Sequence, residues 1–247
     1  SFDENTGKLK PGSKVLLLGE NDAQGLEERL KGQPFSVSDL EQKVQKRRPY
    51  PPFTTSTLQQ EANRKHGYGA TRTMQIAQRL YENGHITYMR TDSVNLSNEA
   101  ITAVRSMVKV RYGDEFIAEK PRRFSSKAKG AQEAHEAIRP AGTTMATARE
   151  LGLSGDELKL YDLIWKRTVS TQMADAKIAM TTAKITTKDP ELGQVLTFRA
   201  SGRQVVFPGF FRAYVEGSDD PEALLEDRDQ PLPAMTVGQG VDCNEID

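Results

Sequence analysis

Cysteine is almost absent from this sequence: Cys243 is the single thiol among 247 residues. One cysteine cannot form an internal disulfide, and it cannot by itself build a thiolate metal site. The sequence therefore excludes a fold held by internal disulfides and argues against structural zinc. It fits a reducing compartment such as the cytoplasm.

Long apolar runs are missing as well, and no stretch approaches the roughly 18 residues that a membrane helix needs. The mean hydropathy is −0.61. The first residues, Ser1–Thr6, contain no basic residue, no hydrophobic stretch and no initiating Met, so no targeting signal is visible. We expect a soluble globular chain that is part of a longer protein.

A net charge is also missing, since 34 Lys and Arg balance 34 Asp and Glu. The balance hides an uneven distribution, with −2 in residues 1–40, +8 in residues 41–180 and −6 in residues 181–247. The basic excess is concentrated in two runs: Lys43, Lys46, Arg47 and Arg48, and then Arg122, Arg123, Lys127 and Lys129. Both runs are candidates for phosphate contacts, although solvated surface charge explains them equally well.

The charge boundaries coincide with a change from strand-like to helix-like sequence. Runs rich in Val, Ile, Thr and Phe predict strands in the flanks, at 14–18, around Val44, and at 179–187, 194–200 and 204–214. We therefore predict an α+β, multidomain fold. In it a mostly helical domain, residues 50–172, is inserted into a β-rich domain formed by residues 1–49 and 173–247. Two chain crossings then connect the domains and can act as a hinge.

Two helices across a glycine turn open the helical part. Ser56 is the predicted N-cap of the first and Thr71 that of the second, with Gly67 in the turn. The predicted apolar face of the second helix comprises Met74, Ile76, Ala77, Leu80 and Tyr81. A predicted strand at 85–91 follows, so the arrangement resembles a winged helix-turn-helix. Further helices are predicted at 98–110, 131–138 and 157–171, the last with Tyr161 and Trp165 in the core.

A candidate nucleophile and a cation lie two residues apart in the segment Ile-Thr-Tyr-Met-Arg-Thr-Asp-Ser, residues 86–93. Because side chains alternate along a strand, Tyr88 and Arg90 are expected on the same side. A phenol that attacks phosphorus needs a fixed cation to hold phosphate oxygens and to stabilise the developing charge. The pair predicts phosphoryl chemistry, while a structural tyrosine beside a surface arginine remains the alternative.

A second candidate group lies between Gln132 and Pro140. A helix over this segment would place His135 and Arg139 on one face, four residues apart, where both can meet a phosphate. His135 can donate a hydrogen bond or relay a proton. The alternative is a surface histidine that is satisfied by Glu136 or water.

Together these segments resemble the type IA DNA topoisomerases, most closely those of bacteria. The resemblance covers most of the chain and runs, in order, through residues 52–60, 74–81, 86–97, 132–140, 160–165, 172–173 and 207–210. It implies that the inserted domain is the winged-helix-like domain of that family and that the β-rich flanks form its arch. Several separated motifs in the right order make a chance match improbable.

The resemblance also implies a reaction. Tyr88 matches the tyrosine that breaks one DNA strand, leaving a 5′-phosphotyrosine and a free 3′-hydroxyl. Another strand then passes and the break is resealed, so that negative supercoils relax without ATP. Arg90 matches the arginine that positions the scissile phosphate, and His135 a histidine that supports it. The further DNA-binding candidates are Asp92, Lys127, Lys129 and Arg139.

The family's Mg²⁺ is held by a toprim domain, which this sequence does not contain. Glu226–Asp229 imitates its acidic cluster only superficially, because the segment is polar and lies near prolines instead of following a buried strand. The resemblance implies Mg²⁺ outside this chain, single-stranded segments of negatively supercoiled DNA as partner, no ATP and no membrane. It further implies a monomer in the bacterial cytoplasm, associated with the nucleoid.

Two other functions are open at this point. A non-catalytic winged-helix module that binds duplex DNA would explain the basic middle of the chain, but it would leave Tyr88, Arg90 and His135 without a role. A protein-interaction arch would use the acidic flanks to bind partner proteins. A covalent adduct between tyrosine and single-stranded DNA would discriminate against the winged-helix module, and loss of DNA binding in a variant with Arg90→Ala and a changed Lys-rich loop would argue against the arch.

The isolated chain of 247 residues is expected not to relax supercoiled plasmid at any Mg²⁺ concentration, although it contains Tyr88. A phosphodiester attack needs a positioned phosphate, charge neutralisation and a route for the proton, and Arg90 with His135 supplies only part of this. Gel electrophoresis of a negatively supercoiled plasmid measures the relaxation. Relaxation by the chain alone that disappears in Tyr88→Phe would show that this expectation is wrong.

Overall fold

The structure, a computed structural model, describes residues 18–125, 136–214 and 230–242. In these ranges the helices are α1 (Glu20–Leu30), α2 (Thr55–His66), α3 (Ala70–Glu82), α4 (Asn98–Tyr112) and α5 (Gly155–Ser170), with short 3-10 turns at Asp114–Phe116 and Gly209–Arg212. The strands are β1 (Phe35–Arg47), β2 (Ala176–Lys188), β3 (Val195–Phe207) and β4 (Gly240–Val241), and they form one sheet in the order β3-β2-β1-β4. The predicted α+β class is confirmed.

By the contacts between Cα atoms, the chain divides into two compact units. The first contains the described parts of residues 1–42, 181–202 and 232–247, and the second those of residues 43–180 and 203–231. Each long strand has residues in both units, because the boundaries fall inside β1, β2 and β3. The predicted domain boundaries after residues 49 and 172, and the hinge between them, stay a prediction.

In the first unit the sheet is closed by a hairpin and by a short edge strand. β4 pairs antiparallel with the start of β1, where Phe35 faces Val241. The turn between β2 and β3 is held by Asp189, whose carboxylate accepts hydrogen bonds from the backbone amides of Glu191 and Leu192. These amides, that of Leu192 foremost, lower the pKa of Asp189 below its ordinary value. The charged carboxylate therefore fixes the hairpin turn.

The second unit has the larger apolar core, formed mainly by α2, α3 and α5. Its fully buried members include Phe53, Leu58, Ile76, Leu80, Leu160 and Ile164. The prediction that Tyr161 and Trp165 belong to the core is confirmed, with exposures of 2% and 4%. Burial of one such side chain contributes about 1.5–3 kcal/mol, so this core holds the three helices together.

A buried cation crosses this core. The guanidinium of Arg167 on α5 lies over the rings of Phe53 and Tyr214, 4.5 and 5.0 Å from the ring centroids, and donates to the hydroxyl of Tyr214 at 3.1 Å. That hydroxyl donates in turn to the carboxylate of Glu61 on α2 at 3.0 Å. Burying a charge is costly unless it is paired and hydrogen-bonded, so this chain of contacts stabilises both charges and fixes α5 against α2.

The helix starts differ from the sequence prediction. Thr54, not Ser56, caps α2: its hydroxyl accepts from the amide of Thr57, whose own hydroxyl accepts from the amide of Thr54. α3 begins at Ala70 after Gly69, one residue before the predicted cap Thr71. Gly67 ends α2 in the left-handed conformation, with φ of 67°, which glycine adopts without strain.

The buried face of α3 is also shifted from the predicted one. Thr73, Ile76, Ala77 and Leu80 are its buried residues, whereas Tyr81 is 42% exposed. The reason is that Thr73 buries its hydroxyl by donating to the carbonyl of Gly69, which lets a polar residue join the apolar face. Tyr81 therefore lies at the edge of that face and remains available for contacts outside the core.

Several strand predictions needed correction. The run at 194–200 and the first part of the run at 204–214 form one continuous strand, β3, which includes Gly202 and ends at Phe207. The rest of the second run is not a strand, since Pro208 is followed by the 3-10 turn Gly209–Arg212. The run at 14–18 falls on residues outside the described ranges, apart from Leu18, which is not in a strand. The other flank predictions, around Val44 and at 179–187, are confirmed by β1 and β2.

The predicted helix at 131–138 is wrong over the part that the structure describes. Residues 136–138 are not helical, and Ile138 forms an isolated bridge with Phe53. Their amides bond to other segments: Ala137 donates to the carbonyl of Asn95 and Ile138 to that of Phe53. Pro140 also disfavours helical backbone at Arg139. Residues 131–135, including His135, lie outside the described ranges.

The predicted strand at 85–91 is reduced to a single bridge between Ile86 and Pro140. Two threonine hydroxyls replace the strand partner. Thr87 donates to the carbonyl of Ala137 and accepts from the amide of Arg139. Thr55 donates to the carbonyl of Met89 at 2.8 Å and accepts from the amide of Thr91 at 2.9 Å. The segment is therefore fixed by side-chain bonds in place of a ladder.

None of the helices in the described ranges is long and apolar enough to cross a membrane. The sequence prediction of helices at 98–110 and 157–171 is confirmed by α4 and α5. The wing that a winged helix-turn-helix would add after α3 is present, within the described ranges, only as the bridge at Ile86.

Thr55→Val is expected to lower the free energy of unfolding by about 1–3 kcal/mol, because the carbonyl of Met89 and the amide of Thr91 lose their partner in a partly buried place. Urea unfolding measures the change. Thr102→Val is the matched control, since the hydroxyl of Thr102 bonds only to its own helix on an exposed face, and a change within about 0.5 kcal/mol is expected. Equal losses in the two variants would contradict the role of Thr55.

Candidate active site

The segment that carries Tyr88 alternates between exposed and buried side chains, although it is not a regular strand. Tyr88, Arg90 and Asp92 are exposed, whereas Met89, Thr91 and Ser93 are buried. The side chain of Tyr88 is 48% exposed. Exposed and buried side chains therefore alternate here although the backbone bends at Met89 and Arg90. The predicted placement of Tyr88 and Arg90 on one side stays a prediction.

The ring of Tyr88 contacts one other aromatic side chain in the described ranges, that of Tyr81. The two ring centroids are 5.3 Å apart and the planes make an angle of 68°, an edge-to-face arrangement. Tyr81 lies in the last turn of α3, which Asn83 and Gly84 close. Edge-to-face pairs are favourable, so a rigid helix supports the Tyr88 ring while its hydroxyl can remain accessible.

Arg90 lines a cleft of about 650 Å³ together with Asp92 and the N-terminal residues of α2, Thr54, Thr55 and Ser56. The N-terminus of a helix carries partial positive charge, although here the amides of Thr55 and Thr57 already donate to the carbonyl of Thr91 and the hydroxyl of Thr54. A guanidinium beside it strengthens the local attraction for an anion. The cleft therefore has the charge distribution of a phosphate site, with Asp92 as an opposing negative charge.

Arg139 is 8% exposed and its guanidinium bonds within its own segment. It donates to both carboxylate oxygens of Glu136, at 2.7 and 3.3 Å, and to the carbonyls of Pro140 and Gly142. Partial burial tends to raise the pKa of Glu136, but the bonds from Arg139 and Ser97 outweigh it and hold that pKa below its ordinary value. Arg139 thus stabilises the loop beside Thr87, and its predicted contact with DNA stays a prediction.

The other predicted site residues fall outside the described ranges. These are Lys127, Lys129 and His135, so the predicted grouping of His135 with Tyr88 and Arg90 stays a prediction. Glu226–Asp229 and Cys243 also lie outside them. In residues 18–125, 136–214 and 230–242, no group of three or more His, Cys, Asp or Glu side chains is arranged to hold a metal ion.

Sequence reasoning missed three residues of the site: Thr55, Tyr81 and Thr87. Thr55 and Thr87 fix the backbone around Tyr88 and Arg90, but threonines in a run such as Phe-Thr-Thr-Ser-Thr at 53–57 carry no signal of a distant partner. Tyr81 was assigned to the apolar face of its helix. Its position seven residues before Tyr88, across a glycine turn, is the one local hint of a contact.

Comparisons with known proteins agree on one family. The family model described as DNA topoisomerase matches residues 4–247. DNA topoisomerase 1 of Synechococcus elongatus is 55% identical over 99% of this chain and 27% of its own length, and that of Mycobacterium tuberculosis is 50% identical over 98% and 26%.

A solved structure shows the same relationship. Full-length topoisomerase I from Thermotoga maritima matches with a TM-score of 0.70 and 31% identity, over 93% of this chain and 36% of that one. The chain spans about a quarter of the length of the curated relatives it matches. With a family match across nearly all of its residues, the chain belongs to the bacterial DNA topoisomerase I family, the type IA enzymes that its motifs resemble.

Proposed function

We propose that this chain supplies the nucleophile of a type IA topoisomerase and that the nucleophile is Tyr88. The observation that carries the proposal is a tyrosine with 48% exposure on a backbone that is fixed on both sides. Thr87 bonds to the segment 137–139 just before it, and Thr55 bonds to Met89 and Thr91 just after it. An accessible hydroxyl on a rigid support is what a positioned nucleophile requires.

In the proposed reaction the phenolic oxygen of Tyr88 attacks the phosphorus of one DNA phosphodiester. As the new bond to phosphorus forms, the phenol gives up its proton and the bond from phosphorus to the upstream 3′-oxygen breaks. That oxygen takes up a proton to become a free 3′-hydroxyl, so no net proton is gained or lost. The downstream strand remains joined to Tyr88 through its 5′-phosphate. Because one phosphoester replaces another, its energy is retained, and the reverse attack reseals the strand without ATP.

Arg90 is the proposed anchor of the scissile phosphate. Its guanidinium can bind two phosphate oxygens at once and is charged at every relevant pH. The N-terminus of α2 lines the same cleft and adds partial positive charge. The two together favour a pentacoordinate transition state, whose oxygens carry more negative charge than those of the bound phosphodiester. His135 is the proposed second phosphate ligand or proton relay.

Among the residues that the structure describes, no group of three or more His, Cys, Asp or Glu side chains is arranged to hold a metal ion. The roles proposed here are those of this chain's own side chains. The Mg²⁺ of the proposed whole enzyme is assigned to a domain outside this sequence. Single-stranded segments of negatively supercoiled DNA as substrate, a monomeric state and a location at the bacterial nucleoid belong to the same proposal.

In the complete protein in which this chain occurs, Tyr88→Phe is expected to abolish the covalent adduct with a 3′-labelled DNA strand, whose label stays on the downstream piece, since the attacking oxygen is gone. Denaturing gels after a detergent quench measure the adduct. Tyr81→Phe is the matched control, because it removes a second exposed tyrosine hydroxyl from the same ring pair and keeps both rings. It should leave the adduct intact.

An adduct that survives Tyr88→Phe but is lost in Tyr81→Phe would show that the nucleophile is Tyr81 and that the proposal is wrong. If no adduct forms in any form of the protein while duplex DNA is still bound, the non-catalytic winged-helix alternative would be favoured instead.

Arg90→Ala in the same protein is expected to slow single-turnover cleavage by about 10²–10³-fold, a loss typical of one fixed charge at a transition state. Binding of the same oligonucleotide should weaken much less, by under about tenfold, because many other phosphates are contacted. Arg72→Ala removes an exposed arginine that is paired with Asp156, and serves as the control with unchanged cleavage. Parallel losses of binding and cleavage in Arg90→Ala would argue against a role in the transition state.

A further inference from the structure

A second concentration of cations lies outside the cleft that contains Arg90. Lys46 and Arg47 end β1 and Arg48 follows directly, and all three side chains are exposed. We name Lys46, Arg47 and Arg48 the basic ridge. No residue of the ridge lines the cleft at the N-terminus of α2. The cleavage chemistry proposed for Tyr88 and Arg90 therefore leaves the ridge without a role.

The ridge forms one wall of a concave surface in the second unit. A cleft of about 680 Å³ is lined by all three ridge residues and by Arg64, Arg203 and Tyr50. Among the residues that the structure describes, no Asp or Glu lines this cleft. A concave surface lined by positive charges focuses the electrostatic field, so it attracts a polyanion more strongly than scattered surface charge does.

The charge continues on the other side of the ridge. Lys46 and Arg48 also line a neighbouring cleft of about 870 Å³, together with Lys120, Arg123 and Lys177. Three carboxylates line the same cleft: Asp175 is bound to Arg122, and Glu115 and Glu119 offset part of the remaining positive charge. The two basic runs of the sequence, near 46–48 and near 122–123, are thus brought to one surface by the fold.

An exposed aromatic ring accompanies these cations. Tyr50 is 47% exposed and stands between Pro49 and Pro51, whose fixed backbone angles limit its movement. The buried guanidinium of Arg167 lies 5.0 Å from the centroid of the Tyr50 ring and supports it from inside. A preorganised ring beside a basic groove is the arrangement on which unpaired bases stack.

We propose that the basic ridge and Tyr50 form a second binding surface for single-stranded DNA, separate from the cleavage site. The ridge binds the phosphodiester backbone and Tyr50 stacks against one base. The choice of DNA as the strand rests on the proposed function, whereas the chemistry of the surface fits any unpaired nucleic acid strand. The surface holds DNA and takes no part in breaking it.

The first test is the salt dependence of binding by the 247-residue chain. Fluorescence anisotropy with a labelled oligothymidylate gives Kd between low and physiological salt. The triple variant Lys46→Gln, Arg47→Gln, Arg48→Gln is expected to weaken binding about tenfold or more at low salt. It should also reduce the slope of log Kd against log salt by about 2, since each phosphate contact on a single strand contributes roughly 0.7.

A matched variant removes the same charge elsewhere in the second unit: Lys109→Gln, Arg149→Gln, Lys159→Gln, all at exposed positions. Its slope and Kd are expected to stay close to those of the unchanged chain. If both triple variants lose the same affinity and slope, the effect comes from net charge alone and the ridge proposal is wrong.

The second test separates stacking from charge. Tyr50→Leu keeps an apolar side chain but removes the aromatic face, and should weaken oligothymidylate binding about tenfold while changing binding of a blunt duplex of equal length by less than about twofold. Equal effects on single strand and duplex, or no effect on either, would overturn the assignment to single strands.

Failure of this proposal is distinguishable from failure of the proposed function. Ridge-dependent binding without any Tyr88 adduct in the complete protein would refute the nucleophile and keep the surface. If the adduct forms normally and the ridge variant binds oligothymidylate like the unchanged chain, the nucleophile is kept and the second binding surface is refuted.

Discussion

The hydroxyl of Thr55 is the constraint on which the candidate site depends. It donates to the carbonyl of Met89 and accepts from the amide of Thr91, and so holds the backbone on both sides of Arg90. Thr55 is also the first residue of α2, which ties the start of a packed helix to the segment that carries the nucleophile. With Thr87 performing the same function toward 137–139, the exposed side chains of Tyr88 and Arg90 stand on a backbone that cannot shift freely.

Fixing the segment by threonine hydroxyls differs from pairing it in a β-sheet, because the edge of the segment stays accessible. A ladder would cover the segment with a neighbouring strand and would bury one of its edges. Bonds from single threonine hydroxyls satisfy the same backbone groups with far less bulk. The edge of the segment remains accessible, and the polar side chains Tyr88, Arg90 and Asp92 can all face solvent and a bound strand.

Deeper in the second unit, the buried contact of Arg167 with Tyr214 and Glu61 serves a different purpose. It joins α5 and α2 to Tyr214, which lies just after the 3-10 turn that follows β3. The same guanidinium supports the Tyr50 ring. A buried charge that loses one partner is strongly destabilising, by about 3–5 kcal/mol in known cases, so these contacts hold together or fail together. The rigid core thereby supports two surface features at once, the N-terminus of α2 and the ring beside the basic ridge.

By itself the sequence determined the α+β class, the long helices and the family. Periodicity fixed α3, α4 and α5, because helices of this length bury a repeating face whatever surrounds them. It also singled out Tyr88 and Arg90, since their two-residue spacing gives the same side in any extended backbone. The ordered motifs led to the family that the comparisons then showed.

Only the tertiary structure decided the rest, because those features depend on partners far away in sequence. The segment 136–138 is not helical, since the amides of Ala137 and Ile138 bond to Asn95 and Phe53, about 40 to 85 residues away. The N-cap of α2 is Thr54 and not the predicted Ser56, and Tyr81 contacts Tyr88 outside the core. Local helix propensity contains no information about these contacts. The sequence shows the two basic runs but not that they meet, and the fold brings Lys46 and Arg48 beside Lys120 and Arg123.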